Sequence, residues 1–159
     1  MTVTRRSTKN ERIITTTKQH VPVGPRTGKT VLALDPGGST GIALRLPDGT
    51  FHTVTLRDPG DIWELFTEPN TPDIVVFETF ATGGRVDRYM IYTIELCGGI
   101  KAVCYALGIR CFPDPPQRRY PWMRQAESLL VGREHTKHEI DALAHLLGFE
   151  ELHGDVYAS

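Results

Sequence analysis

The chain has little cysteine and no CxxC pair. Its three cysteines are Cys97, Cys104 and Cys111, too few and too widely spaced for a zinc ribbon or a disulfide framework. They read as buried or partly buried thiols. Apolar stretches break off well before 18 residues, so no membrane-spanning helix is expected. The opening MTVTRRSTKNERIITTTKQH has no apolar core of the kind a secretory signal needs, and a cytoplasmic protein is expected. No internal repeat or long low-complexity tract is visible. Nor is there an excess of one charge: the net is −1 over 159 residues, which on its own does not advertise a nucleic-acid binder. A Walker-type phosphate loop is also missing. DPGGSTG has the glycines but lacks the Lys-Ser/Thr ending, and a strand follows it, which excludes ATP binding there.

What is present is unevenly placed. Residues 1–30 carry seven Lys/Arg against Glu11 alone and end in the Pro/Gly-rich VPVGPRTGK. They read as a basic arm, with a short strand near 12–17, ahead of a single domain over 31–159. The arm fits either phosphate neutralisation or a solubilising tail. Between Gly83 and Lys137 there are nine Lys/Arg and five Asp/Glu, and Arg118-Arg119-Tyr120 joins base to aromatic. That second basic stretch favours nucleic acid.

Hydrophobic patterning predicts strands at 30–35, 42–46, 50–56, 74–78 and 109–112. Helices are expected at 61–66, 86–107 and 117–131, and from 137 or 139 to 149. Pro47-Asp48-Gly49 is a hairpin signal, and Gly108 a helix stop. Tyr89, Ile91, Ile94, Leu96, Ile100, Val103 and Leu107 give the long helix a broad apolar surface. The order β-β-β-α-β-α-β-α-α predicts an α/β fold: a mixed five-stranded sheet, three strands in an antiparallel meander and then parallel ones, flanked by helices.

Acidic residues stand at telling points of this pattern. Asp35 ends VLALD and Glu78 ends IVVFE, both runs with the look of buried central strands. A carboxylate at the end of a buried strand is costly unless something offsets its charge, and a divalent cation is the simplest offset. His138 and Asp141 lie three apart in HEIDALAHLLG and share a helix face. Each has a plainer reading. Asp35 can tie its own turn, Glu78 can be a surface carboxylate, Asp141 can favour a helix N-terminus, and His138 can be a surface histidine. His145, one turn beyond Asp141, reads as packing or surface. Carboxylates converging with an imidazole suit Mg²⁺ or Mn²⁺ and metal-assisted phosphodiester hydrolysis.

DPGGSTG after a strand, Glu78 on the fourth strand and HEIDALA on the last helix together resemble the RuvC-type Holliday junction resolvases of the ribonuclease-H-like superfamily. The resemblance covers roughly 31–149. It implies that Asp35, Glu78, His138 and Asp141 are catalytic and bind two divalent ions, Mg²⁺ or Mn²⁺. It implies a homodimer formed through helix 86–107 that cuts symmetric strands of a four-way DNA junction, leaving 5′-phosphate and 3′-hydroxyl ends. Phe80 would stack near the junction centre, and Arg85, Arg88, Arg118, Arg119 and Lys137 would lie on the DNA side. The arm and the low charge depart from the usual core and look like a bacteriophage variant, in which cutting extends to flaps and forks. Two other readings stand beside this one: a ribonuclease-H-like nuclease acting on RNA or RNA–DNA hybrid, and a non-catalytic binder of branched DNA. A sugar kinase of the wider fold would need a second domain for which the chain is too short.

Overall fold

A computed structural model describes residues 28–69, 71–80 and 86–154. The arm at 1–30, apart from its last three residues, the strand expected near 12–17 and Arg85 therefore lie outside the described residues.

The sheet is built on two runs of aliphatic residues. β1 (Val31–Asp35) and β4 (Ile74–Glu78) are buried along their length except at the terminal acid. They pair in parallel, with Leu34 opposite Phe77. β2 (Thr40–Arg45) and β3 (Phe51–Leu56) complete an antiparallel meander outside β1. The hairpin between them closes through Leu46 N–H to Thr50 C=O at 2.8 Å, and Gly49 takes the positive φ of 89° that its turn requires. β5 (Arg110–Asp114) adds a parallel edge beside β4, giving the order β3-β2-β1-β4-β5. This mixed five-stranded sheet between helices is the ribonuclease-H-like architecture expected from the sequence.

Strand alternation divides the core. Leu32, Leu34, Val75 and Phe77 face α1 (Pro59–Glu64) and α2 (Arg88–Leu107). Val31, Ala33, Ile74 and Val76 face α3 (Met123–Leu130) and α4 (Lys137–Leu152). The helix ends follow local chemistry. Asp87 caps α2 by accepting from the Tyr89 and Met90 amides, and Gly108 ends it with a φ of 67°. Thr136 caps α4 by accepting from Glu139 N–H. A buried ion pair clamps α4 to the sheet. Arg45 donates from Nε and Nη2 to Glu150, both at 2.6 Å, and from Nη1 to Gly49 C=O at 2.9 Å.

Three elements differ from expectation. The helix expected over 117–131 is a 3₁₀ segment (Pro116–Trp122) followed by α3. Pro121 has no N–H to donate and disfavours the α conformation at Tyr120, so the chain tightens there. β5 runs two residues past the expected stop and includes Pro113. An edge strand tolerates a proline, whose missing N–H takes nothing from the ladder. Finally, α2 is 20 residues long with a mean hydropathy of 1.4 over its most apolar window, enough by length and composition to cross a membrane, where the sequence reading expected no such helix. It packs on the sheet through Leu96, Cys97, Ile100 and Cys104, while Tyr89, Ile91, Ile94, Tyr105 and Leu107 stay exposed.

Candidate active site

The parity that sorts the core also aims the acids. Asp35 follows Val31 and Ala33 on the α4 face. Glu78 follows Ile74 and Val76 on that face, and Asp114 follows Phe112 there. Three adjacent parallel strands thus end in a carboxylate aimed at one helix, at the end of an open sheet where α/β proteins place their sites. From above, α4 supplies His138, Asp141 and His145. These positions, i, i+3 and i+7, form one stripe.

Close approach of α4 depends on Gly41, the register partner of Asp35. A Cβ there would fall 1.9 Å from the carbonyl oxygen of His138. With only hydrogen at that position, His138 Nδ1 reaches Asp35 Oδ2 at 2.9 Å. The ring's other edge, with Nε2, stays free of that bond, and the side chain is 45 % exposed.

His145 is not packing or surface, as the sequence suggested. Fully buried, it bridges two acids, Nδ1 to Asp114 Oδ2 at 2.6 Å and Nε2 to Glu78 Oε2 at 2.8 Å. Each ring nitrogen faces a carboxylate, so with both acids ionised the two hydrogen bonds are satisfied together only by the imidazolium. Burial works against that charge. The bonds to Asp114 and Glu78 outweigh it and raise the His145 pKa.

Arg119, expected on the DNA side, turns toward the strand-end acids. The 3₁₀ segment carries it over the strand ends. This segment sits close to α4 because Gly148 leaves room for the Trp122 ring, which a Cβ would meet at 2.8 Å. The guanidinium forms an ion pair with Glu78, and its Nε lies 3.4 Å from Asp141 Oδ1. That second contact is not a hydrogen bond. Arg119 Nε and Asp141 Oδ1 are both buried and lack hydrogen-bond partners. Leaving such an atom unsatisfied costs about 1–3 kcal/mol.

The acids feel one another. Burial pushes the Asp35 carboxyl up, and the charges of Glu78 and Asp141 push it further, against the bond from His138. Burial also pushes Glu78 up, but the His145 hydrogen bond and the Arg119 charge reverse this and hold it below its ordinary value. The structure therefore brings Asp35, Glu78, His138 and Asp141 into one cluster, together with Asp114, His145 and Arg119. Asp114 was hidden because β5 was expected to stop at Phe112. The HxxDxxxH spacing of 138, 141 and 145 was the available signal for His145. Of the remaining basic candidates, Arg88 and Lys137 are exposed, and Arg118 is half-exposed at 3.6 Å from Asp114. Phe80 is also exposed.

In kind, this donor set fits a hard divalent cation. Asp141 Oδ1 lacks a hydrogen-bond partner, and Asp35 sits under repulsion that a cation would relieve. In the arrangement as it stands, no group of three or more His, Cys, Asp or Glu among the described residues is placed to hold a metal. Arg119 stands between two of the carboxylates. A separate cleft of about 590 Å³, lined partly by Arg57, Arg133 and Glu139, contains none of the four predicted site residues. Glu139 is held there by the Thr53 and Thr55 hydroxyls at 2.8 and 3.1 Å.

No family model matches the chain, and no curated protein matches it. Solved structures do. The chain is similar to Thermus thermophilus RuvC in complex with Holliday junction substrate, with a TM-score of 0.59 and 16% identity over 80% of this chain and 96% of that one. It is also similar to a structure of Thermus thermophilus RuvC with a TM-score of 0.56 and 14% identity over 79% and 96%. The fold is RuvC-like. At this identity the likeness concerns the fold alone.

Proposed function

We propose that the protein is a divalent-metal-dependent endonuclease that resolves four-way DNA junctions and also cuts other branched DNA such as flaps and forks. The observation that carries the reading is the meeting of Asp35, Glu78 and Asp141 at the parallel strand ends, with His138 hydrogen-bonded to Asp35. Asp35, Glu78 and Asp141 would hold Mg²⁺ or Mn²⁺, two ions per site, with His138 as a further ligand or as the group that orients water. The metal would supply Lewis-acid activation of water and stabilise charge on the leaving 3′-oxygen. His138, fixed through Nδ1, presents Nε2 to the water that attacks phosphorus. The P–O3′ bond breaks and leaves 5′-phosphate and 3′-hydroxyl ends. Asp114 and His145 orient Glu78 from behind, as outer partners of metal-binding carboxylates do. Arg88, Arg118 and Lys137 position phosphates without reading bases, with Arg85 and the basic arm as further candidates.

A resolvase works as a pair. The exposed apolar residues of α2 support a homodimer through that helix, which would place two sites on one junction. The proposed place of action is the cytoplasm.

A substrate panel tests the reading. Labelled four-way junction, flap, fork, linear duplex and RNA–DNA hybrid are incubated with Mg²⁺ or Mn²⁺. The expected result is cutting of the branched DNAs and sparing of linear duplex. Cutting of the hybrid alone would make the protein a ribonuclease. Metal-dependent binding with no cutting would make it a structural DNA binder.

A further inference from the structure

We propose that Arg119 is an internal counter-cation for the carboxylate cluster and competes with the divalent ion for it. The inference rests on the metal-site reading above and adds how that site is controlled.

Three observations carry it. The guanidinium lies between Glu78 and Asp141, the two acids that come from different elements to complete the cluster. Its fit there is incomplete. Arginine–carboxylate pairs frequently form two parallel bonds from the guanidinium fork. Here Arg119 bonds Glu78, while its Nε and the facing Asp141 Oδ1 are both buried without a hydrogen bond. Glu78 keeps a second hydrogen-bond partner in His145 when the arginine leaves. Asp141, with its orphaned oxygen, is the acid that a replacing cation satisfies.

The displacement needs no refolding. Trp122 anchors the 3₁₀ segment against Gly148, so the long Arg119 side chain rotates while its backbone stays seated. Neighbouring Tyr120 is exposed and its ring lies 5.4 Å from the guanidinium carbon, on the outward side of the same segment. A displaced guanidinium is well suited to a phosphate, which accepts its fork bidentately. Metal and DNA would then each favour binding of the other. The free protein would stay lightly loaded, and the ion would be held firmly only with substrate in place.

The test uses the full chain without DNA and reads binding, not cleavage. Mn²⁺ is titrated calorimetrically into wild type, Arg119→Met and Asp35→Asn. Arg119→Met should bind Mn²⁺ about tenfold or more tightly than wild type, within the usual range of site–site coupling, and Asp35→Asn should bind weakly or not at all. Equal or weaker affinity in Arg119→Met, with Asp35→Asn still impaired, would overturn the competition and leave the metal site standing. If neither wild type nor Arg119→Met bound Mn²⁺, both readings would fall. A second measurement does not depend on the variant folding. In wild type, the Arg119 Nε–H resonance should shift and lose protection from solvent exchange as Mg²⁺ is added. A resonance unmoved at saturating Mg²⁺ would refute displacement.

Discussion

Replacing His145 with leucine removes the cation that ties β4, β5 and α4 together at the strand ends. Two hydrogen bonds to carboxylates go with it, at 2.6 and 2.8 Å, from a side chain with no solvent exposure. Breaking a buried ion pair from one side costs about 3–5 kcal/mol. Among the described residues, Glu78 keeps Arg119 and Asp114 keeps the more distant Arg118 at 3.6 Å, so the larger share of the loss falls on Asp114. A cost of about 3 kcal/mol is expected for His145→Leu near pH 6. Adding Asp114→Asn should recover about 1–3 kcal/mol of this as coupling in a double-mutant cycle. The pH dependence has a defined sign. The folded-state pKa of His145 is raised above 6.5, so its contribution is complete below that value and fades as pH rises through the folded one. Glu78 is lowered below 4.5, so its contribution is complete above that value and fades as pH falls through its folded one. The wild-type advantage should therefore be greatest between about pH 5 and 6.5. Urea denaturation at pH 6 and pH 9 measures it. A loss under about 1 kcal/mol at pH 6, or an advantage that grows toward pH 9, would refute the imidazolium bridge.

Other substitutions probe the surroundings of the site and the exposed helix. Gly41→Ala puts a methyl 1.9 Å from the His138 carbonyl, so α4 must shift. A loss of about 1–3 kcal/mol in urea denaturation is expected, with junction cleavage falling further than stability explains. Glu150→Ala removes the carboxylate paired with the fully buried Arg45, which keeps its bond to Gly49 C=O, and should cost about 3–5 kcal/mol by the same measurement. Asp35→Asn removes a charge that burial and two acids disfavour, so without metal its melting temperature should equal or exceed that of wild type, while stabilisation by Mg²⁺ disappears. Ile94→Glu on the exposed face of α2 should shift the protein from dimer to monomer in sedimentation velocity and leave the monomer's far-ultraviolet circular dichroism unchanged.

The parts of the fold that depend on burial alone were legible in the sequence. VLALD and IVVFE can hardly be anything but central strands, and β4 falls where its pattern places it. The acids that end these runs, with His138 and Asp141 three apart on a helix, were visible for the same reason. What escaped depends on tertiary context. Pro113 reads as a strand breaker, yet it sits on a sheet edge where no N–H is needed, and so Asp114 was lost to a loop. His145 looks like one more residue of an apolar helix until two strand-end acids are placed beneath it. Arg119 has the profile of a surface base. Its inward turn comes from the 3₁₀ geometry around Pro121 and from the distant Gly148, which admits Trp122.

Paired hydrolysis of branched DNA by the strand-end carboxylates is the activity proposed for this site. Mapping the nicks on a four-way junction labelled on each strand in turn, with wild type and Asp35→Asn in Mg²⁺, tests it most directly. Symmetric nicks on two opposed strands are expected, with 5′-phosphate ends that ligase can seal, absent from Asp35→Asn. Nicks that persist in Asp35→Asn, or a junction left uncut by the metal-loaded wild type, would contradict it.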